Sequence, residues 1–182
     1  MPKIDRRILK TQEALKKAVI ELMSEKNFDE ITIQDLSDRA NVSRGTIYLH
    51  YLDKYDLLDK LIETHINELR ERCEASADLD FVTGSEVWTE YFEQNFAFFS
   101  MMLASKGAPH FRSRFQQFLI EEFNNEVDIT KGINQGLNKD LIVQFLASSY
   151  AGVVEWWFTN DRPVSHQELA RQLGTLLERI CE

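Results

Sequence analysis

Cysteine is scarce: Cys73 and Cys181 are the only two in 182 residues, far apart and in no C-x-x-C spacing. That leaves no basis for a disulfide framework or a zinc ribbon and fits two reduced thiols in a cytosol. Long apolar runs are missing too, and no stretch approaches the roughly 18–20 residues that span a bilayer. The opening MPKIDRRILK is charged with no apolar segment behind it, so no secretory signal is expected. No alternating strand pattern and no internal repeat is visible. The four histidines, His50, His65, His110 and His166, are scattered, and none stands in the E-x-x-H pair of di-iron bundles. There is no Gly-rich phosphate loop, nucleophile elbow or H-E-x-x-H. The expectation is a cytoplasmic chain that is not an enzyme, with no metal, no cofactor and no membrane partner.

Basic charge is also short, with 21 Lys and Arg against 30 Asp and Glu for a net charge of −9. The shortage is uneven. Residues 1–60 hold eleven residues of each sign, whereas residues 61–182 hold ten basic and nineteen acidic. Such asymmetry suits one module that meets nucleic acid and one that stays off it. What the chain does have is apolar content, at 43%, enough for a real core.

The informative stretch is Thr32 to Tyr51, TIQDLSDRANVSRGTIYLHY. Ile33, Leu36 and Ala40 recur on one helical face. Thr32 suits an N-cap, with Asp35 three residues on to reach back. Asn41 can take the positive φ of a tight turn. Val42 then plugs the angle, and Ser43 caps a second helix with Ile47 inward and Arg44, Thr46, Tyr48 and His50 mostly outward. Small Ser37 and Ala40 permit the close approach. This is the helix-turn-helix pattern, whose second helix lies in the DNA major groove. An ordinary helical hairpin would show similar spacings.

Tyr48, Tyr51, Lys54, Leu57 and Leu58 then form Y-x-x-Y-x-x-K-x-x-L-L. With Phe28, Thr32, Ile33 and the turn, this resembles the tetracycline-repressor (TetR) family of bacterial transcriptional regulators, in detail over the first sixty residues and in layout beyond. Asn41 stands where that family usually has Gly, and Asp53 where Ser, Asn or Gly is common; Asp53 is read as the cap of the next helix. The expected fold is all-α: a three-helix helix-turn-helix domain over 1–52, then a helical effector-binding and dimerisation bundle over 53–182, about nine helices in all.

Along the chain, helices are predicted at Arg7–Glu25, from Asp53 to Glu74 or beyond, and at Ser85–Phe99 behind a Thr83/Glu86 capping box. Others follow at His110–Glu126, Lys139–Asn160 and, behind a Ser165/Glu168 box, to about Ile180. Lys3, Arg6, Arg7 and Lys10 can neutralise phosphates, and Thr32 at a helix N-terminus suits one too. Arg44, Thr46 and His50 are the base-edge candidates, with Ser43 as cap and Gly45 allowing close approach. By resemblance, Tyr48 and Lys54 also grip the DNA backbone.

The second domain is rich in Phe and Trp, with stripes at Trp88, Phe92, Phe96, Phe99, Leu103 and at Phe111, Phe115, Phe118. Such stripes are more often core than pocket. The resemblance nevertheless implies a cavity for an apolar or aromatic effector, with Trp88, Phe92, Phe96, Phe99, Phe115 and Tyr150 as lining candidates. It also implies a homodimer through the last two helices, with Trp156, Leu169, Leu173 and Leu177 at the interface. The functional expectation is a repressor released from a palindromic DNA operator by that effector. The competing expectation is a helix-turn-helix coactivator or architectural adaptor with no small ligand.

Overall fold

A computed structural model describes residues 6–104 and 109–181; Lys3 and most of the Lys106–Pro109 loop lie outside them. All regular structure among the described residues is helical. The chain parts into two compact units between His65 and Ile66, inside one helix, where sequence placed the division at 52/53.

The first unit begins with α1 (Arg6–Glu25), which buries Leu15, Ala18, Val19, Leu22 and Met23 at helical spacing. A 3-10 turn at Phe28–Glu30 buries Phe28, and Ile31 follows it inward. Helices α2 (Ile33–Ala40) and α3 (Arg44–Tyr48) come next. Leu57, Leu58, Leu61 and Ile62 from the start of α4 (Lys54–Ala75) complete the core. Arg39 fastens α2 to α1 through Glu25 at 2.7 Å and Glu21 at 3.5 Å.

The second unit holds the rest of α4 with α5 (Phe81–Gln94), α6 (Phe96–Ala104), α7 (Pro109–Glu126), α8 (Lys139–Thr159) and α9 (His166–Cys181). The single helix predicted at Ser85–Phe99 is two, and it starts earlier. Asp80 caps α5 by accepting the Thr83 N–H at 2.9 Å, which places Thr83 and Glu86 inside the helix. The run breaks at Asn95, whose backbone leaves the helical region at φ −114° and ψ 31° while its N–H and side-chain amide both donate to the Tyr91 carbonyl at 3.0 Å. Helix α8 ends as Asp161 and Arg162 both enter the left-handed region, at φ 57° and 53°. Trp157 Nε1 then donates to the Val164 carbonyl at 2.8 Å and closes the corner.

Helix α5 lies along α9, and α7 and α6 lie on α8. The α5–α9 approach is set by Gly174: a Cβ there would stand 2.4 Å from the Val82 Cα and 2.7 Å from the Phe81 carbonyl oxygen. Contrary to the sequence reading, α8 is long and apolar enough to cross a membrane by length and composition. Its Ile142, Val143, Leu146, Ala147, Tyr150, Val154, Trp157 and Phe158 are buried within the unit.

Candidate DNA-reading surface and effector cavity

The helix-turn-helix is locked by its own polar groups. Thr32 Oγ1 accepts the Asp35 N–H at 3.1 Å, while the Thr32 N–H and hydroxyl both donate to Asp35 Oδ2. Lys26 at 2.7 Å, and then Thr32, hold the Asp35 carboxyl well below the usual range. Asn41 takes φ 52° as the turn requires. Ser37 Oγ donates to the Val42 carbonyl at 2.6 Å, fixing the turn against α2. Ser43 Oγ accepts the Thr46 N–H at 3.0 Å and lies 2.8 Å from the Thr46 hydroxyl.

What remains outward is Arg44, Gly45 and Tyr48, the last with 58% of its surface exposed. Arg44 makes no hydrogen bond or ion pair among the described residues. A Cβ on Gly45 would meet only Ser43 Oγ, at an ordinary 3.7 Å, so nothing inside the chain requires glycine there. Arg6, Arg7 and Lys10 are exposed on the first turns of α1. Leu49 and Leu52, which no sequence expectation named, are both more than 80% exposed beside α3.

Three of the expected contacts come out differently. Lys54 Nζ lies 2.7–2.9 Å from the carbonyl oxygens of Phe28, Asp29 and Ile31. An ammonium has three donors, so Lys54 caps the 3-10 turn instead of standing ready for a phosphate. It also sits 5.1 Å from the Phe28 and Tyr55 ring centres, a cation–π arrangement. Thr32 likewise spends its donors on Asp35. His50 falls beyond the end of α3 and is half-buried, its ring 6.3 Å from that of Tyr51.

The second unit holds a cavity of about 420 Å³ among α4, α5, α7, α8 and α9. Of the six lining candidates, Trp88 and Tyr150 line it. Phe92, Phe99 and Phe115 do not; they are fully buried in a closed aromatic cluster, Phe92 lying 4.9 Å from Phe99 and 6.2 Å from Phe115 and Phe158. Phe96 is at the margin of that cluster under the Arg162 guanidinium, 4.3 Å away. Sequence reading missed Glu74, Glu122, Glu126 and Glu178, which also line the cavity. They come from three helices far apart in the chain, and no local spacing signals their meeting.

Residues 15–61 match the profile of bacterial regulatory proteins of the tetR family, and residues 83–179 match a transcriptional regulator C-terminal region. A solved TetR transcriptional regulator from Streptococcus agalactiae 2603V is 30% identical, with 96% of this chain and 97% of that one aligned at a TM-score of 0.71. The chain belongs to the TetR family of bacterial transcriptional regulators. It is a DNA-binding regulator. The transcriptional regulator FadR from Bacillus subtilis, solved in complex with stearoyl-CoA, shares the fold at 18% identity, covering 91% and 96% of the two chains at a TM-score of 0.69. An uncharacterized HTH-type transcriptional regulator of Bacillus subtilis, YxbF, is 40% identical over 67 residues; the match spans 36% of this chain and 18% of that protein.

In this TetR-family bundle, the residues expected at a dimer interface divide. Leu169, Leu173 and Leu177 are buried, on the side of α9 that packs against α5, so they are intramolecular core. Trp156 is half exposed, and it shares an outward face of α8 with Leu141 and Phe145, exposed by 70% and 59%. Leu176 is exposed on α9. A Cβ on Gly152, on the same α8 face, would meet nothing within 4 Å.

Proposed function

We propose that this regulator is a homodimeric repressor that reads a palindromic operator through α3 and releases it when a small molecule fills the cavity of the second unit. The observation that carries the reading is the division of labour in the helix-turn-helix. Thr32, Asp35, Ser37, Ser43 and Lys54 are spent on holding the backbone, while Arg44, Gly45 and Tyr48 face outward with nothing in the chain to hold. Arg44 is the base reader, since a guanidinium matches the O6 and N7 acceptors of guanine. Tyr48 serves the phosphate backbone. Arg6 and Arg7 stand in the first turn of α1, where the helix dipole disfavours cations by a few tenths of a kcal/mol and a phosphate offsets that cost.

A five-residue reading helix carries little specificity alone. Two copies, on half-sites about one helical turn apart, multiply it. Leu141, Phe145, Gly152 and Trp156 on α8, with Leu176 on α9, are the face through which the second copy is joined. The cavity supports the release step. The test is selection of bound duplexes from a random DNA library by the full chain. A palindrome with half-sites one turn apart is expected, and Arg44→Ala should lose about 5- to 150-fold on it with little change on random DNA. A library from which nothing is enriched overturns the reading.

A further inference from the structure

We propose that the cavity takes an organic cation with an aromatic or apolar body, held by the faces of its aromatic walls and by the carboxylates at its mouth. The inference rests on the reading of the cavity as the effector site and names the class of effector. At about 420 Å³ the space is of small-molecule size. Its inner wall is apolar: Trp88, Phe123 and Leu177 are buried, and Trp88 meets Tyr150 edge-on at 5.5 Å and 83°. Five of the seventeen lining residues are carboxylates and none is basic.

Those carboxylates differ in how far they are already used. Asp80 caps α5. Glu122 is half-buried, with the Cys73 thiol beside it and Arg70 Nε 3.9 Å away, and burial pushes its carboxyl upward. Glu74, Glu126 and Glu178 are exposed and make no ion pair among the described residues. The field at the mouth is therefore negative and largely uncompensated, which attracts a cation and repels an anionic headgroup. Nor are these groups placed for a metal: among the described residues no three His, Cys, Asp or Glu could hold one.

Deep in the cavity a second, independent feature points to a ligand. Tyr150 is 3% exposed and lines the space, yet its hydroxyl makes no hydrogen bond among the described residues. The hydroxyl opens onto the space, where it can donate to or accept from a molecule that enters. Burial also pushes its phenol upward, so the group stays neutral and available as donor or acceptor. An organic cation fits both ends: its charge is met by the carboxylates and the electron-rich ring faces, while its body fills the walls and brings a polar atom to Tyr150.

The test uses the full chain and three probes on one naphthylmethyl frame, titrated by calorimetry: naphthylmethyl-trimethylammonium, its isosteric neutral analogue neopentylnaphthalene, and the anionic naphthylacetate. The ammonium should bind about tenfold or more tighter than the neutral analogue, and the carboxylate not measurably. The double variant Glu126→Gln, Glu178→Gln should bring the ammonium down to the neutral level while its thermal melt stays that of the wild type. Trp88→Leu should weaken the ammonium and the neutral analogue alike. Equal binding of cation and neutral analogue, tighter binding of the carboxylate, no binding by any probe, or an unaffected double variant each overturn the inference. Operator binding on the same preparation separates the two readings. If the ammonium binds as expected but operator affinity does not change, cation selectivity stands and the release step fails.

Discussion

Replacing Gly174 by Ala should destabilise the protein, although at an unconstrained helical position the same change stabilises it by ~1 kcal/mol. The added Cβ would stand 2.4 Å from the Val82 Cα and 2.7 Å from both the Val82 nitrogen and the Phe81 carbonyl oxygen. All three are backbone atoms, so no rotamer change relieves the contact. The closest pair must part by about 1 Å to reach ordinary contact. Helices α5 and α9 then separate along the seam that buries Leu169, Leu173 and Leu177. Overpacking of this kind costs about 1–3 kcal/mol and occasionally more, here added to lost burial along the seam. The upper half of that range, less the propensity gain, leaves a net loss of about 1–2 kcal/mol. In a chain of this size that is a fall in melting temperature of about 2–8 °C, read by circular dichroism. Gly84→Ala, on α5 with nothing within 4 Å of its Cβ, is the control and should melt at or above the wild type. A Gly174→Ala variant that melts as high as this control would refute the close approach.

Two further outcomes are expected. On the proposed interface the wild type should sediment as a dimer and Phe145→Glu and Leu176→Glu as folded monomers, whereas Leu173→Glu should lose its helical melt, because Leu173 is core; wild-type mass in the first two variants would place the interface elsewhere. Burial, with Lys16 nearby, pushes the His65 imidazole down to about 4, whereas an unfolded imidazole titrates near ~6.5. Between those values the unfolded chain binds the extra proton, so this contribution to stability is complete above pH ~6.5 and is lost as pH falls toward 4. His65→Gln should flatten the dependence of melting temperature on pH in that window, and parallel curves for variant and wild type would sink the assignment.

Much of the first unit was legible in the sequence because its signals are local. The capping box of Thr32 with Asp35, the left-handed residue at Asn41 and the cap at Ser43 each involve residues within four positions of one another. Their chemistry leaves few alternatives. Lys54 was misread for the opposite reason: its partners lie 23 to 26 residues back, and an exposed-looking lysine gives no hint of three backbone carbonyls. The same holds in the second unit. The stripe from Trp88 to Phe99 is at helical spacing, but Asn95 interrupts the helix, and Phe92 and Phe99 on either side of it close on Phe111, Phe115 and Phe158 rather than on a void. The Leu169–Leu177 stripe did announce a packed face. Whether another chain or α5 covered it depended on Gly174, whose meaning appears only when the two backbones are brought together.

Gly45 separates two demands that most positions impose together. Inside the chain an alanine there is harmless and, as a replacement for glycine in a helix, favourable by up to about 1 kcal/mol. Folding alone would therefore drive position 45 away from glycine. On the proposed DNA-reading surface the same methyl group stands between the helix and whatever it must approach. A mutational library at this site, scored first for thermal stability and then for silencing of a reporter gene, would rank its members in nearly opposite orders. Glycine at 45 then marks the chain's history as a DNA reader, at a position where its thermodynamics alone would have erased it.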